Sequence, residues 1–588
     1  MHALDPILLR YPQRDLLQIL IAVQDHFGYI PAEAIDYLSL KLQLPHADIV
    51  GTASFYAHLY LQPCGEYRVL FSDNITDRMQ GNAALIGRMC SQLGAELGGL
   101  AEDGLASIDT TSCIGMCDQG PAMLVNNIPI NRLSESRIDT VCELMKSRVP
   151  ISAWPASLFS IEDNILRRDI LLGSGFAPGS ALSALLQHGT DDTLQQIRIS
   201  RLRGRGGAGF SAGEKWTLCR DAGGMAVVCN ADEGEPGTFK DRVLLNGHAD
   251  MVLEGMTLCA RIIGAKRGFL YLRGEYRYLL PSLQAVLSRR REQQLLGNNI
   301  MGLPGFTFDI DIHLGAGAYI CGEESALIES LEGKRGTPRN RPPFPVTHGY
   351  RNQPTVVNNV ETFAAASLIA VRGGTWYAGT GTKESSGTKM LSVSGDCARP
   401  GIYEYPYGVT IQKVLLDCGA KDVQAVQISG PSGICIAPDE FNRRIAFEDL
   451  PTSGAFMVFD RTRDMFEVAR NFVHFFAHES CGFCTPCRVG TTLLANMMDK
   501  LGDGYGSPCD LDKIGKLNAL LKSTSHCGLG HSACNPVLDT MEKFRHAYDR
   551  RLAHKDFVPA FDLDRALLQA RQLTGRNDAN AHLARDHD

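Results

Sequence analysis

Four cysteines of this chain have a spacing that could bind a metal centre. The segment Cys481-Gly-Phe-Cys484-Thr-Pro-Cys487 places three thiols at i, i+3 and i+6, and Cys527 follows in a separate segment. Thiolates around one tight turn, joined by a fourth from elsewhere, can close a tetrahedral set. Such a set suits a [4Fe–4S] cluster and also a structural zinc ion. The spacing by itself leaves iron–sulfur, zinc and unliganded thiols open.

A glycine-rich segment at 203–216 could hold a phosphate group. It reads Arg-Gly-Arg-Gly-Gly-Ala-Gly-Phe-Ser-Ala-Gly-Glu-Lys-Trp. Its glycines let the backbone adopt positive φ and let a ligand approach the peptide groups closely. A following helix would direct free N–H groups at an anion, and Arg205 and Lys215 add positive charge. The segment matches neither the G-x-G-x-x-G fingerprint nor the Walker lysine spacing, so a flexible surface loop is the alternative.

Two further segments combine glycine with acidic residues. Residues 230–236, Asn-Ala-Asp-Glu-Gly-Glu-Pro, follow a predicted strand directly, at the end where α/β proteins bind ligands. Residues 315–324, Gly-Ala-Gly-Ala-Tyr-Ile-Cys-Gly-Glu-Glu, form a turn before a predicted helix. These acids could instead cap helices or face water. Together with the glycine-rich segment, they favour a ligand site in this part of the chain.

The elements that must position these residues divide the chain into several domains, because 588 residues are too many for one core. Helical periodicity marks the first 60 residues, and a strand–helix–strand order follows from Tyr67. Glycine-rich turns between buried strands then predict a mainly parallel α/β domain. The predicted division is a helical bundle (1–62), a small α/β domain of thioredoxin size (63–150), a helical connector (151–200), a ligand-binding α/β domain (201–387), a β-grasp unit (388–455), a helical domain with the cysteines (456–550) and a C-terminal helix and tail (551–588).

Composition limits the cellular compartment and the classes of partner that we expect for this chain. The 18 cysteines form no disulfide-like framework, which predicts a reducing cytoplasm. The chain shows no secretory signal pattern, and the apolar stretch 251–271 is interrupted by charged residues, so no membrane insertion is expected. A net charge of −7 without a basic tract makes nucleic acid a poor candidate partner.

Six motifs in order resemble one known family. They are Arg-Gly-Arg-Gly-Gly-Ala-Gly-Phe, Cys-Asn-Ala-Asp-Glu, Gly-Ala-Tyr-Ile-Cys-Gly-Glu-Glu-Ser, Arg-Pro-Pro-Phe-Pro, Val-Asn-Asn-Val-Glu-Thr and Glu-Ser-Cys-Gly-Phe-Cys-Thr-Pro-Cys-Arg. The chain is therefore similar, over residues 160–550, to the flavin- and NADH-binding subunit of respiratory complex I and its soluble relatives. These relatives include the diaphorase subunits of NAD-reducing [NiFe] hydrogenases and of NAD-dependent formate dehydrogenases.

The resemblance implies a Rossmann-like domain that binds FMN and NAD(H), and a [4Fe–4S] cluster on Cys481, Cys484, Cys487 and Cys527. It puts Lys215, Asn230, Asp232, Asn358, Asn359 and Thr362 near FMN. It puts Phe210 and Phe344 at the adenine end of the nucleotide, with Glu235 and Glu324 nearer the ribose and nicotinamide. The full expected cofactor-binding set is Gly204, Arg205, Gly206, Gly207, Gly209, Phe210, Lys215, Asn230, Asp232, Glu233, Glu235, Tyr319, Gly322, Glu323, Glu324, Phe344, Asn358, Asn359 and Thr362.

The N-terminal 150 residues resemble a second component of complex I, the small thioredoxin-like [2Fe–2S] subunit. Cys113 and Cys117 match the second cysteine pair of that family. Where the first pair should lie, Ser72 and Asp77 stand instead. Because [2Fe–2S] clusters take thiolates almost exclusively, we expect this cluster to be absent.

The resemblance implies hydride transfer between NAD(H) and FMN, followed by one-electron transfer through the [4Fe–4S] cluster, with no catalytic acid or base. The expected function is that of the diaphorase subunit of an NAD-reducing hydrogenase. The implied partners are an iron–sulfur small diaphorase subunit and the [NiFe] hydrogenase subunits. The alternatives are the flavin subunit of a formate dehydrogenase or of complex I, and a non-enzymatic electron-transfer scaffold.

Overall fold

The computed structural model describes residues 4–11, 15–552 and 563–577. The N-terminal helices predicted from periodicity are α1 (Asp5–Arg10), α2 (Leu16–Phe27), α3 (Ala32–Leu42) and α4 (His46–Ala53). Helix α2 ends at Gly28, whose φ of 83° is a left-handed C-cap. Among the described residues, no helix is both long and apolar enough to cross a membrane.

The next unit is a mixed sheet with helices packed on it. Its elements are β1 (Tyr67–Ser72), α5 (Ile75–Met79), α6 (Asn82–Leu93), β2 (Gly99–Leu100), β3 (Ala106–Thr111), β4 (Met123–Val125), β5 (Ile128–Ile130) and α7 (Glu135–Lys146), and its strand order is β2-β3-β1-β4-β5. The turn at Asn126-Asn127 joins β4 to β5, and both residues have positive φ, as a tight hairpin requires.

The segment 151–200 differs from the predicted helical connector. It contains 3₁₀ turns at Ile151–Ala153 and Ala156–Leu158, strand β6 (Ile165–Arg167) and helices α8 (Ser180–His188) and α9 (Thr190–Ile199). Strand β6 pairs in parallel with a strand more than 200 residues further along the chain. Such a long-range pairing leaves no local periodicity, so the sequence could not indicate it.

The central unit has a parallel sheet in the order β10-β7-β8-β9, which confirms the predicted parallel arrangement. Its elements are α10 (Ala212–Asp221), β7 (Ala226–Ala231), α11 (Lys240–Gly247), α12 (Ala249–Ile263), β8 (Arg267–Leu272), α13 (Leu280–Glu292), β9 (Asp309–Leu314), α14 (Glu324–Leu331), α15 (Pro345–His348), β10 (Thr355–Asn359), α16 (Val360–Arg372) and α17 (Gly374–Ala378), with 3₁₀ turns at Gly274–Leu279, Ile300–Gly302, Tyr319–Gly322 and Tyr350–Asn352. Parallel strands bring their carboxyl ends to one edge, and that edge carries the predicted ligand segments.

A second mixed sheet follows, in the order β14-β13-β15-β11-β12-β6. It is built from β11 (Thr388–Gly395), β12 (Gly401–Pro406), α18 (Ile411–Cys418), β13 (Val423–Ile428), β14 (Ile434–Ile436), a 3₁₀ turn at Pro438–Glu440 and β15 (Ala455–Asp460). The helix predicted at 411–418 is confirmed. The sheet extends beyond the predicted boundary at residue 455, because β15 pairs with β11 and β13 at its centre.

The C-terminal part is helical. It comprises α19 (Met465–Glu479), α20 (Thr485–Gly502), α21 (Pro508–Thr524), α22 (Gly528–Ser532), α23 (Asn535–Lys543), α24 (Arg545–Asp549) and α25 (Leu563–Thr574). One apolar core joins helices α19 to α24 to the N-terminal helices and α14, so these two sets of helices pack on the same side of the parallel sheet. The predicted polar tail beyond residue 577 lies outside the described residues.

Candidate functional site

A polar cavity of about 400 Å³ lies at the carboxyl ends of β7 and β10. Its wall is formed by the glycine-rich segment, the acidic segment after β7, the 3₁₀ turn before α14, and loops of the second sheet and the helical part. The expected residues that line it are Gly206, Gly207, Asn230, Asp232, Glu233, Glu235, Tyr319, Gly322, Glu323 and Asn359. The structure thus brings segments separated by more than 100 residues to one site.

The glycine-rich segment is a fixed turn, which argues against the flexible surface loop. The amide of Arg205 donates to Oγ1 of Thr362 at 2.9 Å, and Gly204 pairs with Phe210 through their backbones at 2.8 Å. Gly209 has a φ of 66°, and a Cβ there would lie 2.5 Å from the ring of Phe447. Only glycine fits this position, and the turn then delivers the chain into α10.

Arg205 does not reach the cavity, contrary to the expectation that it adds charge beside the ligand. Its side chain is buried and donates to the hydroxyls of Tyr377 (2.7 Å) and Tyr407 (3.0 Å) and to the carbonyl of Ser386 (2.8 Å). The guanidinium also lies over the ring of Tyr407. Arg205 therefore ties the glycine-rich turn to the second sheet through its two terminal nitrogens, whereas its Nε has no hydrogen-bond partner among the described residues.

The cationic side chain at the cavity is Lys240, which the sequence analysis missed. Its ammonium is buried, 2.6 Å from Oδ1 of Asp241, 3.2 Å from Oε2 of Glu361 and 3.2 Å from Oδ1 of Asn359. Burial lowers the pKa of Lys240, but Asp241 and Glu361 more than offset this and raise it above its ordinary value. The sequence signal for this residue is its position four residues after the acidic segment, as the first residue of α11.

Two buried polar atoms at the cavity have neither a hydrogen-bond partner nor an ion pair among the described residues. They are Oγ1 of Thr238 and Oδ2 of Asp232. Burial raises the pKa of Asp232 well above its usual range. Since buried polar atoms in proteins are almost always paired, these two atoms fit a site built to receive a polar ligand.

Glu233 and Glu235 are held in place by neighbours rather than facing water. Glu233 accepts from the amide of Asp241 at 2.8 Å and the hydroxyl of Tyr276 at 2.9 Å, so it caps α11. Burial and the nearby Asp241 raise the pKa of Glu233 to about 7. Glu235 accepts from Ser432 through its amide (3.0 Å) and hydroxyl (2.8 Å), and burial raises the pKa of Glu235.

The remaining expected residues support the cavity from outside or lie at its surface. Lys215 donates to Glu324 at 3.0 Å, and Asn358 accepts from Trp216 at 2.9 Å. Glu323 accepts from two amides at the start of α14, so the helix-cap interpretation is confirmed for this residue. The residues outside the cavity wall are Gly204, Arg205, Gly209, Phe210, Lys215, Glu324, Phe344, Asn358 and Thr362, of which Phe210 and Phe344 are about half exposed.

The four cysteines meet around one small cavity, as the spacing predicted. Cys481, Cys484, Cys487 and Cys527 line it together with Ile320, His526 and Leu529. Burial raises the pKa of Cys487 to about 11 and that of Cys527 to about 12. Within the described ranges, no three cysteine, histidine or acidic side chains converge closely enough for a single metal ion.

The thiol cavity and the polar cavity share a wall. Ile320, Cys527 and Leu529 line both of them. A group bound among the four thiols would therefore be separated from a ligand in the polar cavity by single side chains. This arrangement is suited to electron transfer between two bound groups.

The thioredoxin-like part brings Ser72 and Asp77 to the two cysteines of that region. Ser72 donates to Asp77 at 2.7 Å, Asp77 also accepts from the amide of Ala122 at 3.0 Å, and the Cys113 and Cys117 sulfurs lie 3.2 Å apart. The thiol of Cys117 donates to Cys113, which lowers the pKa of Cys113 to about 7. Two of the four positions are therefore oxygen groups that are already hydrogen-bonded to the protein, whereas [2Fe–2S] clusters take thiolates almost exclusively.

Comparison with known proteins agrees with this site. Residues 197–367 match the family described as the Nuo51 FMN-binding domain, 5–146 match the thioredoxin-like [2Fe-2S] ferredoxin family, and 467–551 match the NADH-ubiquinone oxidoreductase-F iron-sulfur binding region. The fold and site thus define a multidomain flavin- and iron–sulfur-type oxidoreductase subunit, with a thioredoxin-like N-terminal domain, an FMN-binding domain and a helical iron–sulfur region.

Individual relatives narrow the family. The chain is 45% identical to the NAD-reducing hydrogenase HoxS subunit alpha of Cupriavidus necator, over 94% of each chain. It is 42% identical to the NADP-reducing hydrogenase subunit HndC of Solidesulfovibrio fructosivorans, over 62% of this chain and 76% of that protein. A solved NAD⁺-reducing [NiFe]-hydrogenase in the H₂-reduced state has a chain with a TM-score of 0.89 and 43% identity, covering 97% of this chain and 98% of that one. The protein belongs to the family of the alpha subunits of NAD-reducing hydrogenases.

Proposed function

We propose that this chain is the diaphorase subunit of a cytoplasmic NAD-reducing [NiFe] hydrogenase, which exchanges hydride with NAD(H) and single electrons with partner subunits. The observation that carries the proposal is the shared wall of the two cavities at Ile320, Cys527 and Leu529. The free thiol state of all 18 cysteines fits a reducing compartment. The β-grasp assignment of the second sheet and the domain boundaries given above belong to the same proposal.

FMN fits the polar cavity. The glycine-rich turn lets a ligand approach its backbone closely, and Lys240 supplies a positive charge. Thr238 and Asp232 supply polar atoms that can bond to the ligand. When bound, the flavin would supply hydride chemistry and pass electrons singly. The chain itself would hold the phosphate against Lys240 and the turn at 206–208, and would keep water from the ring by its buried walls. NAD(H) would enter past Phe210 and Phe344, whose rings are exposed for stacking.

The [4Fe–4S] cluster fits the four thiols. The four thiols surround a cavity but lie too far apart to bind one metal ion together. This spacing suits a cluster in which each metal atom takes a single thiolate. Cys484 is the N-cap residue of α20, an 18-residue helix, so the positive end of that helix lies at this corner of the thiol cavity. We propose that the N-terminal region binds no [2Fe–2S] cluster, on the ground of Ser72 and Asp77.

The complex purified under hydrogen tests this proposal. NAD⁺ reduction that depends on H₂, together with FMN and four irons on this chain, is the expected result. A molybdenum-containing partner and formate-dependent NAD⁺ reduction would instead assign the chain to a formate dehydrogenase. NADH oxidation by a viologen dye, measured on the isolated chain, separates an enzyme from a scaffold, because a scaffold would be colourless and inactive.

A further inference from the structure

The pair Cys113 and Cys117 takes no part in the proposed electron transfer, yet it has the geometry of a reactive dithiol. Their sulfur atoms are 3.2 Å apart and both side chains are buried. Asn74 donates to the Cys117 sulfur at 3.2 Å, and the amide of Gly115 donates to the Cys113 sulfur at 3.4 Å. A disulfide has a sulfur–sulfur bond of about 2.05 Å, so the two atoms need to approach by only about 1 Å.

A solvent cleft gives access to one member of the pair. A cavity of about 520 Å³ between the thioredoxin-like part and α19 is lined by Ser112, Cys113, Asn74 and Pro236. Two ion pairs, Arg78–Asp73 and Arg470–Asp499, belong to the same lining. Cys117 does not line this cleft. A small reagent that enters it meets Cys113 first, and Cys117 then stands behind Cys113 as the second thiol.

The loop between the two cysteines contacts residues that hold Glu233 in the wall of the polar cavity. Arg273 donates to the carbonyl of Cys113 at 2.7 Å and also to the carbonyl of Glu233. Tyr276 donates to Oε2 of Glu233 at 2.9 Å, and its hydroxyl packs so closely on Gly115 that a Cβ there would lie 2.2 Å away. A displacement of the loop would therefore move the groups that hold Glu233, which lines the cavity and caps α11.

We propose that Cys113 and Cys117 form a reversible dithiol–disulfide site that reacts with small-molecule disulfides and adjusts the cofactor cavity through Arg273 and Tyr276. The Cys113 thiolate attacks a disulfide R–S–S–R, forming a mixed disulfide and releasing one thiolate. The Cys117 thiol gives up its proton and attacks the Cys113 sulfur, which releases the second R–S group. Two protein thiols are oxidised, one disulfide is reduced to two thiols, and the two protons pass to the leaving groups.

The test treats the full chain, kept free of oxygen, with oxidised glutathione and then traps the remaining thiols for peptide mapping. The expected result is an internal disulfide between Cys113 and Cys117 that dithiothreitol reverses. The variant Cys117→Ser should stop at a glutathione adduct on Cys113. Cys142→Ser, which alters another buried thiol of the same region, should behave as the unmodified protein. Two thiols that stay reduced, or a stable adduct in the unmodified protein, would overturn the proposal.

A second readout is the kcat/KM for NADH with a viologen acceptor, before and after oxidation. We expect a fall of at least about twofold that is reversed by dithiothreitol and absent in Cys117→Ser. This readout rests on the proposed function, whereas the peptide mapping does not, so the two can fail separately. Iron analysis completes the test, because about six irons with a [2Fe–2S] resonance would show that the thiols are cluster ligands.

Discussion

The hydroxyl of Tyr319 donates a hydrogen bond to Oε2 of Glu235 at 2.5 Å, across the mouth of the polar cavity. Tyr319 comes from the turn before α14, and Glu235 comes from the loop after β7. The bond joins two segments that the sequence analysis assigned separately to the ligand site. Because Ser432 donates twice to Oε1 of the same carboxylate, three of its four acceptor positions are used and one remains on Oε2.

Neutralising Glu235 should weaken the preference for NAD(H) over NADP(H). A carboxylate accepts from the ribose 2′-hydroxyl and repels a 2′-phosphate, so the unmodified protein should favour NADH by at least about tenfold. Glu235→Gln should raise kcat/KM for NADPH and lower it for NADH. The control Tyr319→Phe keeps the charge and should leave NADPH poorly used. Equal rates with both nucleotides in the unmodified protein would place Glu235 away from the ribose.

The same preference should depend on pH. Burial raises the pKa of Glu235 above its ordinary 4.5, so its protonated form accumulates, as the pH falls, earlier than for an exposed carboxyl group. The ratio of kcat/KM for NADPH to that for NADH should rise on acidification and fall again at higher pH. Steady-state kinetics across pH 5–8 would measure it. In Glu235→Gln only the 2′-phosphate of NADPH, with a second pKa of about 6, still titrates in this range. The ratio should therefore change less with pH in that variant, and a matching pH profile would assign the effect to the phosphate or another group.

Removing one thiol of the Cys₄ set should separate flavin chemistry from onward electron transfer. Cys484→Ala should lower the iron content of the chain by about four and leave FMN bound, because the polar cavity does not include Cys484. H₂-dependent NAD⁺ reduction in the reassembled complex should stop. Cys509→Ala, which removes an exposed thiol on α21, is the matched control. Full activity in Cys484→Ala would contradict the cluster assignment.

Gly209 should tolerate no side chain. Gly209→Ala forces positive φ on alanine and drives its Cβ to 2.5 Å from Phe447, so the glycine-rich turn must shift and FMN content should fall. Gly223→Ala also has positive φ, but nothing lies within 4 Å of a Cβ there. Flavin absorbance of both purified variants distinguishes the collision from backbone strain. Equal flavin loss in the two would show that strain alone is responsible.

Glu254 should stabilise the fold from inside α12. Its buried carboxylate accepts from the amides of Gly179 (2.6 Å) and Ala181 (2.8 Å) and from buried Arg290 at 3.0 Å. Glu254→Ala leaves the amides at the start of α8 without this acceptor and leaves Arg290 paired with Asp250 alone, at 3.1 Å. The change should therefore cost about 3 kcal/mol. Urea unfolding would measure the loss of stability, and hydrogen exchange would show whether α8 opens.

Two further variants show which interaction of Glu254 causes the loss of stability. Asp549→Asn, in an exposed ion pair with Arg545, should change stability by less than about 1 kcal/mol. The double variant Glu254→Gln with Arg290→Met should recover part of the loss, because it removes both buried charges. A double variant as unstable as Glu254→Ala would indicate that capping of α8 dominates.

The sequence by itself indicated the four thiols that meet around one cavity and the segments that line the polar cavity. Cysteines at i, i+3 and i+6 indicate a set of thiolate ligands through their local spacing alone. The glycine-rich turn is likewise recognisable, because it requires a backbone freedom that only glycine supplies. Local periodicity likewise predicted α18 and the parallel sheet. These features depend on residues close together in the chain, so the order of residue types is enough to recognise them.

Only the tertiary structure showed which charged side chains line the polar cavity. Arg205 and Lys240 have the same sign, but Arg205 turns into a buried tyrosine pair while Lys240 faces the cavity beside Asp241. The joining of β6 to a distant sheet and the common wall at Cys527 also depend on contacts across hundreds of residues. Such contacts are fixed by packing and by the pairing of buried charges, and neither leaves a periodic trace in the sequence.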